Sequence, residues 1–134
     1  MTSITERDLW RLVEEAQRVL RNSYAPYSGV HVASAVLSES GKVHLGVNVE
    51  NSSYGLTMCA ERVAIFALIT GGDRKPIAIA VVTNAEEPIY PCGACRQVIA
   101  EFNPETTLIL YSTKSGKHVI TNLREIFPHP FKLK

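Results

Sequence analysis

The chain has 134 residues, of which 46% are hydrophobic and 20% charged, and its formal net charge is +1. This length suits one domain with a buried core, so we expect residues 1–134 to form a single domain. A nearly neutral chain without a basic block argues against a nucleic-acid-binding protein, and no apolar run approaches the about 20 residues that span a membrane.

The first third of the chain predicts a helix followed by a β-hairpin. Thr5 and Asp8 have the spacing of a capping box, and apolar residues then recur at helical spacing as far as Leu20. Residues 30–37 are small or β-branched, and residues 42–48 alternate between apolar and polar after a turn that contains glycine. We predict two paired strands, the first central because it is apolar on both faces and the second at an edge.

Helices and strands alternate in the rest of the chain. Residues 63–69 are apolar all round, which predicts a buried helix ended by Gly71 and Gly72. A strand between two helices is typical of a βαβ-like path, so we expect a three-layer α/β/α sandwich around a mixed sheet of about five strands. The other predicted elements are a buried strand at 77–82, a helix at 96–102, strands at 107–111 and 117–120, and a short helix at 123–127.

All three cysteines lie in two motifs, each at the start of a predicted helix. Cys59 precedes the apolar helix, and Cys92 and Cys95 lie at the start of the next one. Free N–H groups and the positive end of a helix dipole stabilise thiolates, which are the form that binds metal. Three thiolates can hold one zinc ion per chain with its fourth position open for water, as in catalytic zinc sites.

Charged residues next to these cysteines suggest an acid–base role and a supporting role. Glu61, two residues after Cys59, is placed to accept a proton from a zinc-bound water without being a ligand. Three thiolates leave the zinc site negative, and we expect Arg62, three residues after Cys59, and Arg96, next to Cys95, to offset this charge by hydrogen bonds to sulfur. An odd number of cysteines also favours a reducing compartment, so a cytoplasmic location is expected.

The second predicted strand ends at two polar residues, Asn48 and Glu50. An amide both donates and accepts hydrogen bonds and a carboxylate accepts them, so both side chains can bind sugar hydroxyls. A polar turn without a ligand is the alternative interpretation.

The four histidines raise the alternative of a closed Cys3His structural zinc site, since any of them can complete it. None has short ligand spacing to a cysteine, however, and a closed site leaves Glu61 without a role.

The two motifs together, residues 59–62 (Cys-Ala-Glu-Arg) and 91–96 (Pro-Cys-Gly-Ala-Cys-Arg), resemble the cytidine deaminase family. The resemblance extends to residues 24–28 and 46–51 and is best with the small homotetrameric type. It implies zinc-dependent hydrolytic deamination of cytidine or deoxycytidine in pyrimidine salvage, in a homotetramer with shared active sites. The residues to which it assigns substrate contacts are Asn48 and Glu50 at the ribose, Ala60, and, from neighbouring subunits, Tyr54 and Phe131.

The chain departs from the family pattern at Val30, where the family has a phenylalanine that stacks on the pyrimidine, and after Phe131, where Lys132 and Leu133 replace Gly-Pro. Loss of a base–aromatic stack costs on the order of 1–3 kcal/mol, which puts base affinity and substrate range in question. A deaminase of a modified cytosine nucleoside such as blasticidin S is therefore one alternative. Alternatives of other classes are a zinc-stabilised binding module and a thiol–disulfide protein that uses Cys92 and Cys95.

Overall fold

The computed structural model describes residues 4–133. It contains one sheet of five strands in the order β2-β1-β3-β4-β5. The strands are β1 (Val32–Ser38), β2 (Val43–Val47), β3 (Pro76–Thr83), β4 (Thr107–Ser112) and β5 (His118–Asn122). The helices are α1 (Glu6–Val19), α2 (Ala60–Thr70), α3 (Gly93–Phe102) and the short α4 (Leu123–Ile126), with 3-10 turns at Leu20–Asn22 and Tyr54–Leu56.

The sheet is mixed. β1 pairs antiparallel with both β2 and β3, β4 pairs antiparallel with β5, and β3 and β4 are parallel. β3 and β4 are parallel because α3 connects them: the helix returns the chain from the end of β3 to the end of the sheet at which β3 began, where β4 starts. The predicted hairpin, the central position of β1 and the edge position of β2 are confirmed.

Helices cover both faces of the sheet, which confirms the predicted three-layer sandwich. On one face, α1 packs its buried stripe of Leu9, Leu12, Val13 and Ala16 against alternate positions of β1, β3 and β4, several of them alanines. On the other face, α2 and α3 pack against the intervening positions. The capping box of α1 is also present: Asp8 N donates to Thr5 Oγ1 over 3.1 Å, and Thr5 N donates to Asp8 Oδ2 over 3.0 Å.

Several boundaries differ from the prediction for identifiable reasons. β1 begins at Val32 rather than at residue 30, because Val30 N donates to Ser28 Oγ and Val30 O accepts from Asn48 Nδ2 instead of joining the ladder. β5 continues to Asn122, whose side chain then caps α4 by accepting from Glu125 N. The expectation that the apolar helix is buried all round is wrong for the single chain, since Phe66 of α2 is 45% exposed.

The fold brings the two cysteine motifs together, because α2 and α3 lie on the same face of the sheet and pack against each other. Gly46 of β2 lets α2 approach closely: a Cβ atom built there lies 2.5 Å from both Ala60 O and Ala64 N. Within residues 4–133, no helix is both long and apolar enough to cross a bilayer.

Candidate active site

The three cysteines converge at the first turns of α2 and α3. Cys59 is the N-cap of α2, Cys92 is the N-cap of α3, and Cys95 lies one turn into α3. Cys59 Sγ is 3.7 Å from Cys92 Sγ, and Cys92 Sγ is 3.5 Å from Cys95 Sγ. The sulfurs therefore form a compact triangle at two helix N-termini.

This triangle fits zinc. All three sulfur atoms lie within 4.8 Å of one another, and among the described residues they form the one group of His, Cys, Asp and Glu side chains close enough to hold an ion. Zn–S bonds of about 2.3 Å in a tetrahedron separate two ligand sulfurs by about 3.8 Å, close to the spacings observed. No histidine belongs to the group, so the cluster suits one zinc ion held by three thiolates rather than a closed Cys3His site.

The electrostatics of the triangle also favour a cation. A hydrogen bond from Cys95, together with one from the Arg62 guanidinium, lowers the pKa of Cys59 to about 5. The same contact with Cys59 raises the pKa of Cys95, because its proton is shared between two adjacent sulfurs. A divalent ion would replace that proton and offset two of the three negative charges that three close thiolates create.

The two arginines next to the cysteines have different roles. Arg62 Nη2 donates to Cys59 Sγ over 3.5 Å, and Arg62 Nε is buried without a partner among residues 4–133. The structure therefore places Arg62 where the sequence predicts it. Arg96 does not contact a sulfur: its Nε donates to Pro91 O and its Nη1 to Ile126 O, each over 2.7 Å, so it holds the Cys92 loop against the end of α4.

Glu61 lies in the first turn of α2 and is only 3% exposed. Burial, and secondarily the negative charge of Cys59, raises its pKa to about 7, while a hydrogen bond from its own backbone N–H acts in the opposite direction. A carboxyl group with this pKa can both accept and release a proton near neutral pH. It does not belong to the metal-ligand group, which leaves it free for proton transfer.

Asn48 and Glu50 lie beyond the end of β2, and both are already held by hydrogen bonds. Asn48 is 9% exposed; its Oδ1 accepts from Ser23 Oγ and from Val32 N, and its Nδ2 donates to Val30 O. Glu50 accepts from the backbone N–H groups of Tyr27 and Ser28 and from the Ser28 hydroxyl. The Ser28 hydroxyl, followed by the two N–H groups, lowers the pKa of Glu50, so this side chain is ionised and can only accept.

Glu50 also lines a cleft of about 250 Å³ together with Tyr27, Ser28, Tyr54 and Thr57. The Tyr54 ring is 77% exposed and lies edge-on to Tyr27. Phe131 is 69% exposed, and only its backbone is fixed, by hydrogen bonds to Gln97. Both aromatic rings are therefore mostly uncovered by the other residues of the range 4–133.

Ala60 can contact a substrate only through its backbone. Its side chain is fully buried at the first position of α2, where the backbone N–H has no partner within the helix.

Three residues of this region are not identified from the sequence as parts of a site. Ser23 and His31 lie next to Asn48, and Gly46 lies against the first turn of α2. Ser23 carries no motif of its own, and its contact with Asn48 spans 25 positions of the chain. The one available signal is at Gly46, a glycine inside a predicted strand, which often indicates a close approach of another backbone.

A sequence model described as the cytidine and deoxycytidylate deaminase zinc-binding region matches residues 6–111. A cytidine deaminase of Halalkalibacterium halodurans is 42% identical over 124 residues, 92% of this chain and 94% of the relative. A crystal structure of cytidine deaminase from Burkholderia pseudomallei has a TM-score of 0.86 and 40% identity, covering 96% of this chain and all of the other. A blasticidin-S deaminase of Bacillus cereus is more distant, with 27% identity over 94% of this chain and 93% of the relative. The chain belongs to the cytidine and deoxycytidylate deaminase family.

Proposed function

We propose that this chain is a zinc-dependent hydrolase that deaminates cytidine and deoxycytidine to uridine and deoxyuridine in pyrimidine salvage, with Glu61 as the proton carrier. The observation that carries the proposal is a carboxyl group, only 3% exposed, that lies in the first turn of α2 two residues after Cys59 of the three-thiol cluster. A closed structural site or a disulfide exchange site has no use for such a group. The match of residues 6–111 to the deaminase family model supports the same reaction.

The roles of the site residues follow from their chemistry. Zinc held by Cys59, Cys92 and Cys95 would lower the pKa of a bound water toward about 7 and supply the nucleophile for C4 of the pyrimidine. Glu61 would accept one proton from the attacking water and deliver it to ring N3; it would then take the proton of the new C4 hydroxyl and pass it to the amine, so that the C4–N bond breaks and ammonia leaves as the C4 carbonyl forms. General acid–base catalysis of this kind contributes about 10²–10⁴-fold to the rate.

Asn48 and Glu50 have complementary hydrogen-bonding capacity for ribose. Both lone pairs of Asn48 Oδ1 are occupied, and one of the two N–H groups of Nδ2 is used, so the amide has one donor left. The ionised Glu50 has only acceptors. Together they suit sugar hydroxyls, which both donate and accept, and we assign these two residues to ribose.

The reaction is tested by incubating zinc-loaded protein with cytidine, deoxycytidine and blasticidin S in parallel and measuring ammonia and the deaminated product. We expect turnover of the two ordinary nucleosides. Val30, 36% exposed at the position of the family's stacking ring, makes the modified nucleoside the second candidate. Turnover of blasticidin S alone would reassign the substrate, and no turnover of any of the three would contradict the proposed function.

We also propose that four copies assemble with shared active sites. The support is a set of large apolar side chains that the single chain leaves exposed, among them Tyr54 (77%), Leu56 (67%), Phe66 (45%), Tyr90 (45%) and Phe131 (69%). A second copy of the chain would cover them. A cytoplasmic location is proposed on the ground that the three thiols must remain reduced to bind metal.

A further inference from the structure

Two residues outside the zinc motifs, Ser23 and His31, form a hydrogen-bonded chain that ends on Asn48. Ser23 Oγ donates to Asn48 Oδ1, and His31 Nδ1 lies 2.9 Å from Ser23 Oγ. Ser23 follows the turn at the end of α1, His31 precedes β1, and Asn48 follows β2. The chain of contacts therefore joins three separate parts of the fold at the proposed ribose site.

The direction of every hydrogen bond in this chain can be derived. Val32 N can only donate and Val30 O can only accept, so the backbone fixes which end of the Asn48 amide is oxygen. Because Asn48 Oδ1 is an acceptor, Ser23 must direct its single O–H proton at it. Ser23 Oγ then has only lone pairs for His31, so His31 Nδ1 carries a proton and donates it.

We propose that Ser23 and His31 are positioning residues that hold Asn48 with both oxygen lone pairs occupied and one N–H free to donate to a secondary ribose hydroxyl. This inference rests on the proposed function. In this arrangement Asn48 cannot present its oxygen to substrate, so it recognises only a group that accepts. Glu50, which only accepts, receives a hydrogen bond from a sugar hydroxyl, and the pair together favours hydroxyl groups, which both donate and accept, over ethers, which only accept.

The backbone of His31 is fixed independently of its ring, which makes side-chain substitution informative. His31 N donates to Asn84 Oδ1 over 2.8 Å, and His31 O accepts from Thr83 Oγ1 and from Asn84 N. Replacement of the imidazole leaves these contacts in place. An asparagine at this position carries its amide nitrogen on Cγ, as histidine carries Nδ1, so His31→Asn keeps a donor near Ser23 whereas His31→Leu removes it.

The test compares KM and kcat for cytidine in wild type, Ser23→Ala, Ser23→Thr, His31→Leu and His31→Asn. Loss of one hydrogen bond to a positioned binding group predicts a KM increase of about 3- to 10-fold in Ser23→Ala, with kcat changed by less than about 2-fold. His31→Leu should shift KM in the same direction by a smaller factor. Ser23→Thr and His31→Asn, which retain the hydroxyl and the donor, should lie near wild type.

A substrate lacking the recognised hydroxyls separates positioning from general damage to the site. With 2′,3′-dideoxycytidine, measured as a substrate or as a competitive inhibitor of cytidine turnover, Ser23→Ala and wild type should differ by less than about 2-fold. Deoxycytidine then shows which hydroxyl Asn48 binds. The matched controls are Ser38→Ala and His44→Leu, at the opposite end of the hairpin, whose side chains both bond Asp73 and should not change KM.

The outcomes distinguish this inference from the proposed function. If wild type does not deaminate cytidine, the proposed function is wrong. If wild type does, but KM is unchanged in Ser23→Ala and His31→Leu, or changes equally for dideoxycytidine, only the positioning role is wrong. Should Ser23→Ala fail to fold, the comparison of His31→Leu with His31→Asn decides, with thermal melting showing that both are folded.

Discussion

Among single residues, Arg62 places a positive charge beside the sulfur cluster. Its guanidinium donates to Cys59 Sγ and helps to lower the pKa of that thiol. Zinc must displace a thiol proton to bind, so a higher thiol pKa weakens binding at neutral pH. Arg62→Gln should reduce zinc affinity or turnover by about 10- to 100-fold, as loss of groups that support metal ligands commonly does.

Competition with a metal chelator measures the zinc affinity of Arg62→Gln. The control is Arg74→Gln, an exposed arginine that donates to Ile69 O beyond the other end of α2. Wild-type affinity together with wild-type turnover in Arg62→Gln would show that the contact with Cys59 has no function.

At the scale of elements, the position of α2 depends on Gly46 of β2. A Cβ atom there would lie 2.5 Å from Ala60 O and from Ala64 N, which are backbone atoms of the helix that carries Glu61. Gly46→Ala should therefore push the first turn of α2 outward and lower the free energy of unfolding by about 1–3 kcal/mol. Turnover should fall as well, because a displacement of that turn moves Glu61 relative to the sulfurs.

Gly55→Ala is the matched control for Gly46→Ala, since a Cβ atom at Gly55 meets nothing within 4 Å. Urea unfolding of both variants gives the comparison. Equal stability of the two variants would mean that α2 and β2 separate without cost, contrary to the packing described.

A cluster of hydrogen bonds joins the β1–β2 hairpin to the segment after α2. Asp73 accepts from Ser38, Ser40 and His44, and these contacts, His44 first, lower its pKa to about 2. A carboxyl whose pKa is lowered by folding stabilises the protein above its unfolded pKa of 3.8, and this contribution disappears as the pH falls toward about 2. Asp73→Asn should therefore lose stability at neutral pH and show a weaker dependence of stability on pH between about 4 and 2.

Thermal melting across this pH range measures the Asp73 effect. Glu39→Gln serves as control, because the Glu39 carboxylate accepts no hydrogen bond from the described residues and lies in the same turn. If the melting temperature of Asp73→Asn fell as steeply with decreasing pH as that of wild type, the stabilising role of the Asp73 carboxylate would be contradicted.

We expect the whole molecule to be an assembly of four chains. α2 packs mainly on β2 and β1, and its Phe66 is 45% exposed. Light scattering on the purified protein should give four times the chain mass, and Phe66→Asp should dissociate the assembly and reduce turnover. Ile120→Asp, the same change at the opposite edge of the sheet, should leave it intact. A fully active monomer would contradict shared sites.

The features that were predicted from the sequence are those encoded locally. The capping box of Thr5 and Asp8 spans four residues, and the β1–β2 hairpin depends on one turn. In the cysteine motifs, the residue types and their spacing alone indicate metal binding. The structure differs where a contact joins distant positions. Arg96 bonds Ile126, 30 residues away, instead of a sulfur, and Ser23 occupies the oxygen of Asn48 from 25 residues away. Hydrophobic periodicity and motif spacing describe neighbouring residues, so they do not predict hydrogen bonds between residues this far apart in the sequence.

We propose that Glu61 carries protons for a zinc site without binding the metal, and replacement of its carboxylate in Glu61→Gln tests this role. Zinc content and release of ammonia and uridine from cytidine should be measured on the same wild-type and variant samples. We expect one zinc per chain in both, with turnover in the variant reduced by at least about 10²-fold, since glutamine preserves the shape of the side chain but cannot transfer the proton. Wild-type-like turnover in Glu61→Gln, or loss of zinc from it, would contradict the assignment.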